Sequence, residues 1–224
     1  MKKNFKHAIK ASALLLALSF TFVSCKDDKD DEPTAAMASL TVVNSVEGSG
    51  AQDFYVNDSK KISSLTYGSN ANISITSGTN VGVFRNSSAT TVNASATFTV
   101  GANTKQTMFL IKNADGSYGV NAYSDDNTST SGKARVRFIN LSPTLGAAIN
   151  VTTSTGTSLA SALAYRGAST YQTIDANTAL NVNVIGSLQT TTIAGSEFQA
   201  GKVYTIWFDS STTTEAKYHV IAQN

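Results

Sequence analysis

Alternation of apolar and polar residues runs along the chain from about residue 38 onward. Leu40 and Val42 flank a threonine, and similar runs occur at Ile73–Ile75, Val81–Val83 and Leu180–Val184. Such period-two alternation places one face of a β-strand against a core and the other in water. Turn-forming pairs separate the runs at 57–58, 77–78, 115–116 and 209–210. The pattern predicts an all-β chain, with at most a turn at 158–164.

The alternating pattern occurs twice, with the two copies 95 to 100 residues apart. The matched pairs of segments are 38–45 and 134–143, 53–56 and 148–151, 64–68 and 162–167, 98–101 and 198–201, 108–111 and 204–208, and 118–123 and 218–222. Short strands at regular spacing favour a sandwich or barrel. We therefore predict two β-sandwich domains at 38–123 and 134–224, joined by a polar linker at 124–133.

The first 24 residues have the pattern of a signal peptide, with four lysines followed by the apolar run 11–23. That run is too short to span a bilayer, which needs about 20 apolar residues. The segment Phe22-Val23-Ser24-Cys25 resembles a bacterial lipobox, so Cys25 is the predicted lipidation site. The alternative is ordinary cleavage near Ser24, which leaves Cys25 as a free thiol.

A charged stretch follows Cys25, and residues 25–37 are predicted to be a flexible tether. Its charged residues resemble the acidic signal that sends some Gram-negative lipoproteins to the outer face of the outer membrane. The signal would consist of Lys26, Asp27, Asp28, Asp30, Asp31 and Glu32. The stretch would otherwise serve only as a spacer. We expect an outer-membrane lipoprotein that faces the cell exterior, held to the membrane by its lipid.

Composition adds two exclusions. Without residues 1–24, 13 basic residues face 15 acidic ones, a net charge of −2. Nucleic-acid binding is not expected, because it needs clustered lysine and arginine. Cys25 is the only cysteine, so the domains must be stable without an internal disulfide.

No catalytic, metal or cofactor site is predicted. His219 is the one histidine after the signal peptide, and we expect it on a strand face. No Gly-x-Ser-x-Gly segment presents a serine nucleophile. Scattered acids leave a carboxylate hydrolase open, although most lie at turn-like positions. Residues 125–127 could supply oxygens to calcium but lack the ligand spacing of a known calcium loop.

Aromatic residues supply the candidate glycan contacts. Tyr118, Tyr123 and Tyr171 could stack on sugar rings if they are exposed. Tyr67 and Tyr165 occupy matching places in the two copies, which indicates a shared packing role. Trp207 lies in an apolar run and is predicted to be core.

The segment Ala134-Arg-Val-Arg-Phe-Ile-Asn-Leu-Ser-Pro143, the strand after it and the segment 163–167 resemble the domain-of-unknown-function 4397 family. The resemblance extends over roughly 38–222, most clearly in the second copy. The first copy departs in its opening loop, with Ser45-Val46-Glu47 in place of Leu141-Ser142-Pro143. The resemblance implies tandem immunoglobulin-like or transthyretin-like β-sandwiches in a bacterial surface protein. It implies no activity, because fold does not supply function.

These observations favour a non-enzymatic surface lipoprotein that acts in adhesion, assembly or ligand binding. The first alternative is a glycan-binding accessory protein for polysaccharide uptake. The second is a carboxylate-dependent hydrolase. The expected ligand is a glycan or a protein, and no cofactor is expected.

Overall fold

A computed structural model describes residues 35–224. The predicted signal peptide, Cys25 and the acidic residues of the tether lie outside this range. The described residues form sixteen strands and one 3₁₀ turn at Gly195–Glu197, with no α-helix. None of their elements is a helix long and apolar enough to cross a membrane. The all-β prediction is confirmed.

The first half of the fold contains strands β1 to β8. They are β1 Met37–Asn44, β2 Gln52–Val56, β3 Ser59–Leu65, β4 Asn70–Thr76, β5 Gly78–Asn86, β6 Val92–Val100, β7 Lys105–Lys112 and β8 Tyr118–Asp125. The second half contains β9 Lys133–Asn140, β10 Ile149–Thr153, β11 Ser158–Leu163, β12 Gln172–Asp175, β13 Leu180–Val184, β14 Thr190–Ile193, β15 Val203–Asp209 and β16 Lys217–Ala222.

The two halves share one topology. The first half has sheets β4-β1-β7-β8 and β3-β2-β5-β6, and the second has β12-β9-β15-β16 and β11-β10-β13-β14. In each half the opening strand runs parallel to the seventh strand, as β1 does to β7 and β9 to β15. The remaining strand pairs are antiparallel. Each half is thus a β-sandwich of two four-stranded sheets, as predicted.

Each sandwich is filled by the inward side chains of its alternating strands. In the first half, Leu40 and Met108 from one sheet meet Phe54 and Phe84 from the other, and all four are fully buried. The second half has its own core, which includes Phe138, Phe198 and Phe208. Burial of this apolar surface is the main favourable term in folding.

The structure corrects two details of the sequence interpretation. Residues 158–163, expected to form at most a turn, are strand β11. The matched segments 53–56 and 148–151 are also shifted by two residues. Gln52 pairs with Leu65 and Ile149 pairs with Leu163, so Asp53 corresponds to Asn150.

Matching bulges in β3 and β11 interrupt both strands and break their apolar–polar alternation. Ser64 and Ala162 have positive φ angles of 55° and 49°. The Ser64 amide donates to Asp53 Oδ1 at 3.0 Å, and the Ala162 amide donates to Asn150 Oδ1 at 2.8 Å. A bulge inserts a residue and bends the strand, so the sequence of β11 does not show the regular alternation of a strand.

The outer faces of the β1 and β9 sheets pack against each other. Phe109 of the first half and Trp207 of the second make an edge-to-face contact with ring centroids 6.1 Å apart. We call the apolar cluster around them the interface core: Val43, Phe109, Ile111, Ile139, Leu141, Trp207 and Ile221. Ala35–Asn224 is therefore one compact unit. Trp207 is buried as predicted, but between the halves.

The segment between the halves is shorter than the predicted linker, because 124–125 belong to β8 and 133 belongs to β9. Its ends are anchored. The Asp125 side chain is fully buried in an ion pair with Arg137, and Arg135 pairs with Asp126. Arg135 also donates to the Thr128 carbonyl. The domain bounds themselves stay a prediction.

Candidate functional site

Two loops, one from each half, are held in the same way by a buried asparagine. Asn44 at the end of β1 donates to the Leu65 carbonyl at 3.2 Å, and its Oδ1 accepts from the Val46 amide at 3.2 Å. Asn140 at the end of β9 donates to the Leu163 carbonyl at 3.1 Å and accepts from the Ser142 amide at 3.1 Å. Because these polar atoms are buried and satisfied, each loop is fixed against its own sandwich.

The two fixed loops face each other across a cleft between the halves, which we call the interface cleft. Its volume is ≈ 200 Å³. One wall is the segment 45–47 with Lys112, and the other is the segment 141–144 with residues 209–211. The second wall contains Leu141, Ser142 and Pro143 of the segment that carries the family resemblance. The sequence motif thus borders a cleft to which both halves contribute.

A cluster of polar and aromatic side chains stands behind the cleft. Tyr67 of the first half donates its hydroxyl to Asp209 Oδ2 of the second. His219 Nε2 lies 3.3 Å from Asp209 Oδ1 and 3.3 Å from Tyr67 Oη. The His219 ring is stacked on Trp207 with ring centroids 3.8 Å apart. Burial, and then the hydrogen bond to Asp209, raise the pKa of Tyr67, so its hydroxyl stays protonated.

Two further contacts tie the halves together near the cleft. Tyr165 donates its hydroxyl to the Lys112 carbonyl at 2.6 Å. Lys217 and Glu47 form an exposed ion pair at 3.0 Å, a kind of contact that adds little stability. Tyr67 and Tyr165 therefore share a role, but it is a hydrogen bond to the other half and not the packing role that their matching positions predicted.

A buried polar network joins the halves around Arg137. Arg137 pairs with Asp125 and donates to Thr205 Oγ1 at 2.9 Å. Thr107 Oγ1 donates to Asp125 Oδ2 at 2.8 Å. The Gln223 side-chain amide donates to Thr107 Oγ1 at 3.2 Å and to Thr205 Oγ1 at 3.0 Å. Burial raises the pKa of Asp125, which opposes the effect of Arg137. Sequence reasoning missed this network, because alternation puts Arg137 on the face opposite its own core.

The structure separates the three candidate glycan-contact tyrosines. Tyr123 lies on β8, and Tyr171 lies in the loop before β12. The Arg137 guanidinium is 6.0 Å from the ring centroid of Tyr123 and 4.9 Å from that of Tyr171. Tyr118 is at the other end of β8 and packs against the core of the first half. The three rings do not form one platform, and contact of any of them with a glycan stays a prediction.

The acidic residues considered as catalytic or calcium-binding groups are dispersed. Asp53 pairs with Lys60, and Asp175 pairs with Lys133. Hydrogen bonds from Lys60, the Ser64 amide and Ser87 lower the pKa of Asp53 to about 2. Among residues 35–224 no group of three or more acidic, histidine or cysteine side chains could hold a metal ion.

The chain belongs to the family described as "Domain of unknown function (DUF4397)", whose model matches residues 38–152. The match covers the first half and continues through most of β10. It includes the motif at 134–143, whereas the segment 163–167 lies beyond it. No curated protein sequence matches the chain.

Two solved structures show a distant likeness. One, titled "Alpha-glucan binding by a streptococcal virulence factor", is 8% identical, with 81% of this chain and 96% of that chain covered and a TM-score of 0.26. The other is the family CBM26 module of Eubacterium rectale Amy13K in complex with maltoheptaose, 12% identical, with 83% and 96% covered and a TM-score of 0.26. At these scores neither likeness bears on the ligand of this chain.

Proposed function

We propose that this protein is a non-enzymatic outer-membrane lipoprotein, displayed to the cell exterior, that binds a ligand in adhesion or surface assembly. The interface cleft is the binding site in this proposal. The observation that carries it is that equivalent loops of the two halves form the two walls of one cleft. Each loop is fixed by a buried asparagine, Asn44 or Asn140, and a site fixed before binding loses less entropy when its ligand arrives.

The chemistry of the cleft suits a small polar group of a larger ligand. Thr144 and Ser211 are exposed and carry hydroxyls that can donate and accept. Lys112 and Glu47 place opposite charges on the first wall. A volume of ≈ 200 Å³ is below the usual size of a drug-like pocket. A protruding sugar unit or a peptide side chain fits this description better than a whole cofactor.

Residues 35–224 can be tested directly as a purified protein. Ser211→Trp should fill the cleft, whereas Thr214→Trp places the same ring in the same loop outside it. Both proteins and the wild type would be applied to an array of glycans, mucin, collagen and fibronectin. We expect the wild type and Thr214→Trp to bind the same component and Ser211→Trp to lose it. Equal binding by all three would contradict the cleft as the site.

The alternative is a glycan-binding accessory protein for polysaccharide uptake. The hydroxyl-rich second wall of the cleft supports it, because sugar hydroxyls pair well with serine and threonine. Binding confined to glycans on the array would favour this alternative, and binding confined to the proteins would favour adhesion or assembly. Release of reducing ends from a bound polysaccharide would contradict the non-enzymatic part of the proposal.

A further inference from the structure

Each half has a crevice at the edge where its two sheets part. Edge crevice 1 lies beside β3 and β4 and has a volume of ≈ 260 Å³. Edge crevice 2 lies beside β11 and β12 and has a volume of ≈ 500 Å³. Both are separate from the interface cleft, with which they share no lining residue.

The two edge crevices are built from the same positions of the repeated fold. Ser74 pairs with Ser39 on β1, and Thr173 pairs with Arg135 at the same place on β9. By the same strand registers Ile75 corresponds to Ile174. All nine residues that line edge crevice 1 have counterparts in the lining of edge crevice 2. The crevice is thus a property of the repeat and not an accident of one half.

The two linings share part of their chemistry, although they differ in charge, with Lys61 in edge crevice 1 and Lys133 and Asp175 in edge crevice 2. The buried isoleucine, Ile75 or Ile174, gives each crevice an apolar floor. Small hydroxyl-bearing side chains surround it: Ser59, Ser74 and Thr76 in edge crevice 1, and Thr157, Thr173 and Thr178 in edge crevice 2. The side-chain oxygens of these six residues make no hydrogen bond to other described residues. They are therefore available to a ligand with many hydroxyl groups on an apolar carbon skeleton.

A peptide strand fits the β3 side of edge crevice 1 and the β11 side of edge crevice 2 less well. Extension of a sheet by a peptide needs a regular edge with unpaired amide and carbonyl groups. The strands β3 and β11 instead carry register shifts around Ser64 and Ala162, and β3 also presents Lys60 and Lys61. Bulges and edge lysines are devices that prevent strand addition.

We infer that the two edge crevices bind polysaccharide, one segment in each crevice. The inference rests on the proposed ligand-binding function but not on the interface cleft. Neither lining, within residues 35–224, contains an aromatic ring to stack on a sugar. One crevice alone should therefore bind weakly, and two on one rigid unit should add avidity for a polymer.

Affinity electrophoresis of residues 35–224 through gels that contain glycogen, dextran, xylan, mannan or β-glucan tests this inference. The crevice 1 variant carries Ser59→Ala, Ser74→Ala and Thr76→Val. The crevice 2 variant carries Thr157→Val, Thr173→Val and Thr178→Val. These changes remove hydroxyls and keep β-compatible side chains. The matched control changes Thr90, Thr91 and Thr97 to Val, which are exposed and outside both crevices.

We expect at least one polysaccharide to retard the wild type and the control equally. Each crevice variant should bind that polysaccharide about tenfold more weakly, because avidity is lost with either site, and the combined variant should not bind. A wild type that no polysaccharide retards would overturn the inference. Retardation that survives in the combined variant would also overturn it. If that retardation disappears in Ser211→Trp, the glycan binds in the interface cleft, and the proposed function stands.

Discussion

The buried pair of Asp125 and Arg137 should be a major determinant of how firmly the halves are joined. Their side chains are 0% and 5% exposed, and they come from opposite halves. Asp125→Ala would leave the Arg137 guanidinium buried without its counter-ion. Breaking a buried pair in this way costs about 3–5 kcal/mol. Replacing both residues, as Asp125→Leu with Arg137→Met, removes both charges and should recover most of that loss.

Urea unfolding of residues 35–224 measures this difference. With an m-value of about 2–3 kcal/mol/M, a loss of about 3–5 kcal/mol lowers the midpoint by roughly 1–2.5 M. The control is Asp175→Ala, which removes one partner of the exposed pair with Lys133. It should cost less than about 1 kcal/mol.

Two results would refute this reasoning. If Asp125→Ala costs no more than Asp175→Ala, water reaches the buried pair and the desolvation argument fails. If the double variant is less stable than Asp125→Leu alone and Arg137→Met alone, the hydrogen bonds that Thr107 and Thr205 make to the pair outweigh the charges. The double-mutant cycle separates the coupling of the pair from these neighbours.

Four other predictions follow from the sequence and the structure. Cys25→Ser should move the protein from the detergent phase to the soluble fraction; unchanged retention would exclude a lipid anchor. Replacing the five acids Asp27, Asp28, Asp30, Asp31 and Glu32 with Ala should reduce antibody access on whole cells; equal access would make them a spacer. The stability advantage of the wild type over Asp53→Asn, measured by urea unfolding, should be complete above about pH 5 and be lost as the pH falls through the folded-state pKa of about 2, because the pKa of Asp53 is lowered by folding; a constant difference would contradict the shift. Limited proteolysis should cut first within 128–132, where most residues are exposed, and the nicked halves should elute together from a sizing column because the interface core still holds them; separate elution would contradict that.

Alternation in the sequence was enough to predict the sandwiches, since one residue in two points to the core of its own half. It also placed Trp207 in a core. Alternation could not show the contact between the halves. The contact between the halves was indicated only by the unbroken apolar runs 108–111 and 206–208. A strand that is buried on both faces has apolar residues in place of its alternating polar ones.

The interface cleft was only partly predictable. The motif at 140–143 indicates one wall. The sequence of the other wall, 45–47, departs from the family pattern and does not indicate a site. The wall at 45–47 is held in place by Asn44, whose side chain makes hydrogen bonds equivalent to those of Asn140. The partners Tyr67 and Asp209 are 142 residues apart, a separation at which no local pattern indicates contact. The edge crevices were hidden for a similar reason, because their equivalence depends on the pairing of β1 with β4 and of β9 with β12, which joins segments far apart in the sequence.

Retention of whole cells on surfaces coated with mucin, collagen or fibronectin, or with the glycans of the array, tests the central claim most directly. Cells would display the wild type, Cys25→Ser, Ser211→Trp or Thr214→Trp, at expression levels matched by antibody on lysates. The account predicts retention on the same coating for the wild type and Thr214→Trp, and loss for Cys25→Ser and Ser211→Trp. Retention of the Cys25→Ser and Ser211→Trp cells at the wild-type level would contradict both the lipid-anchored display and the interface cleft as the binding site.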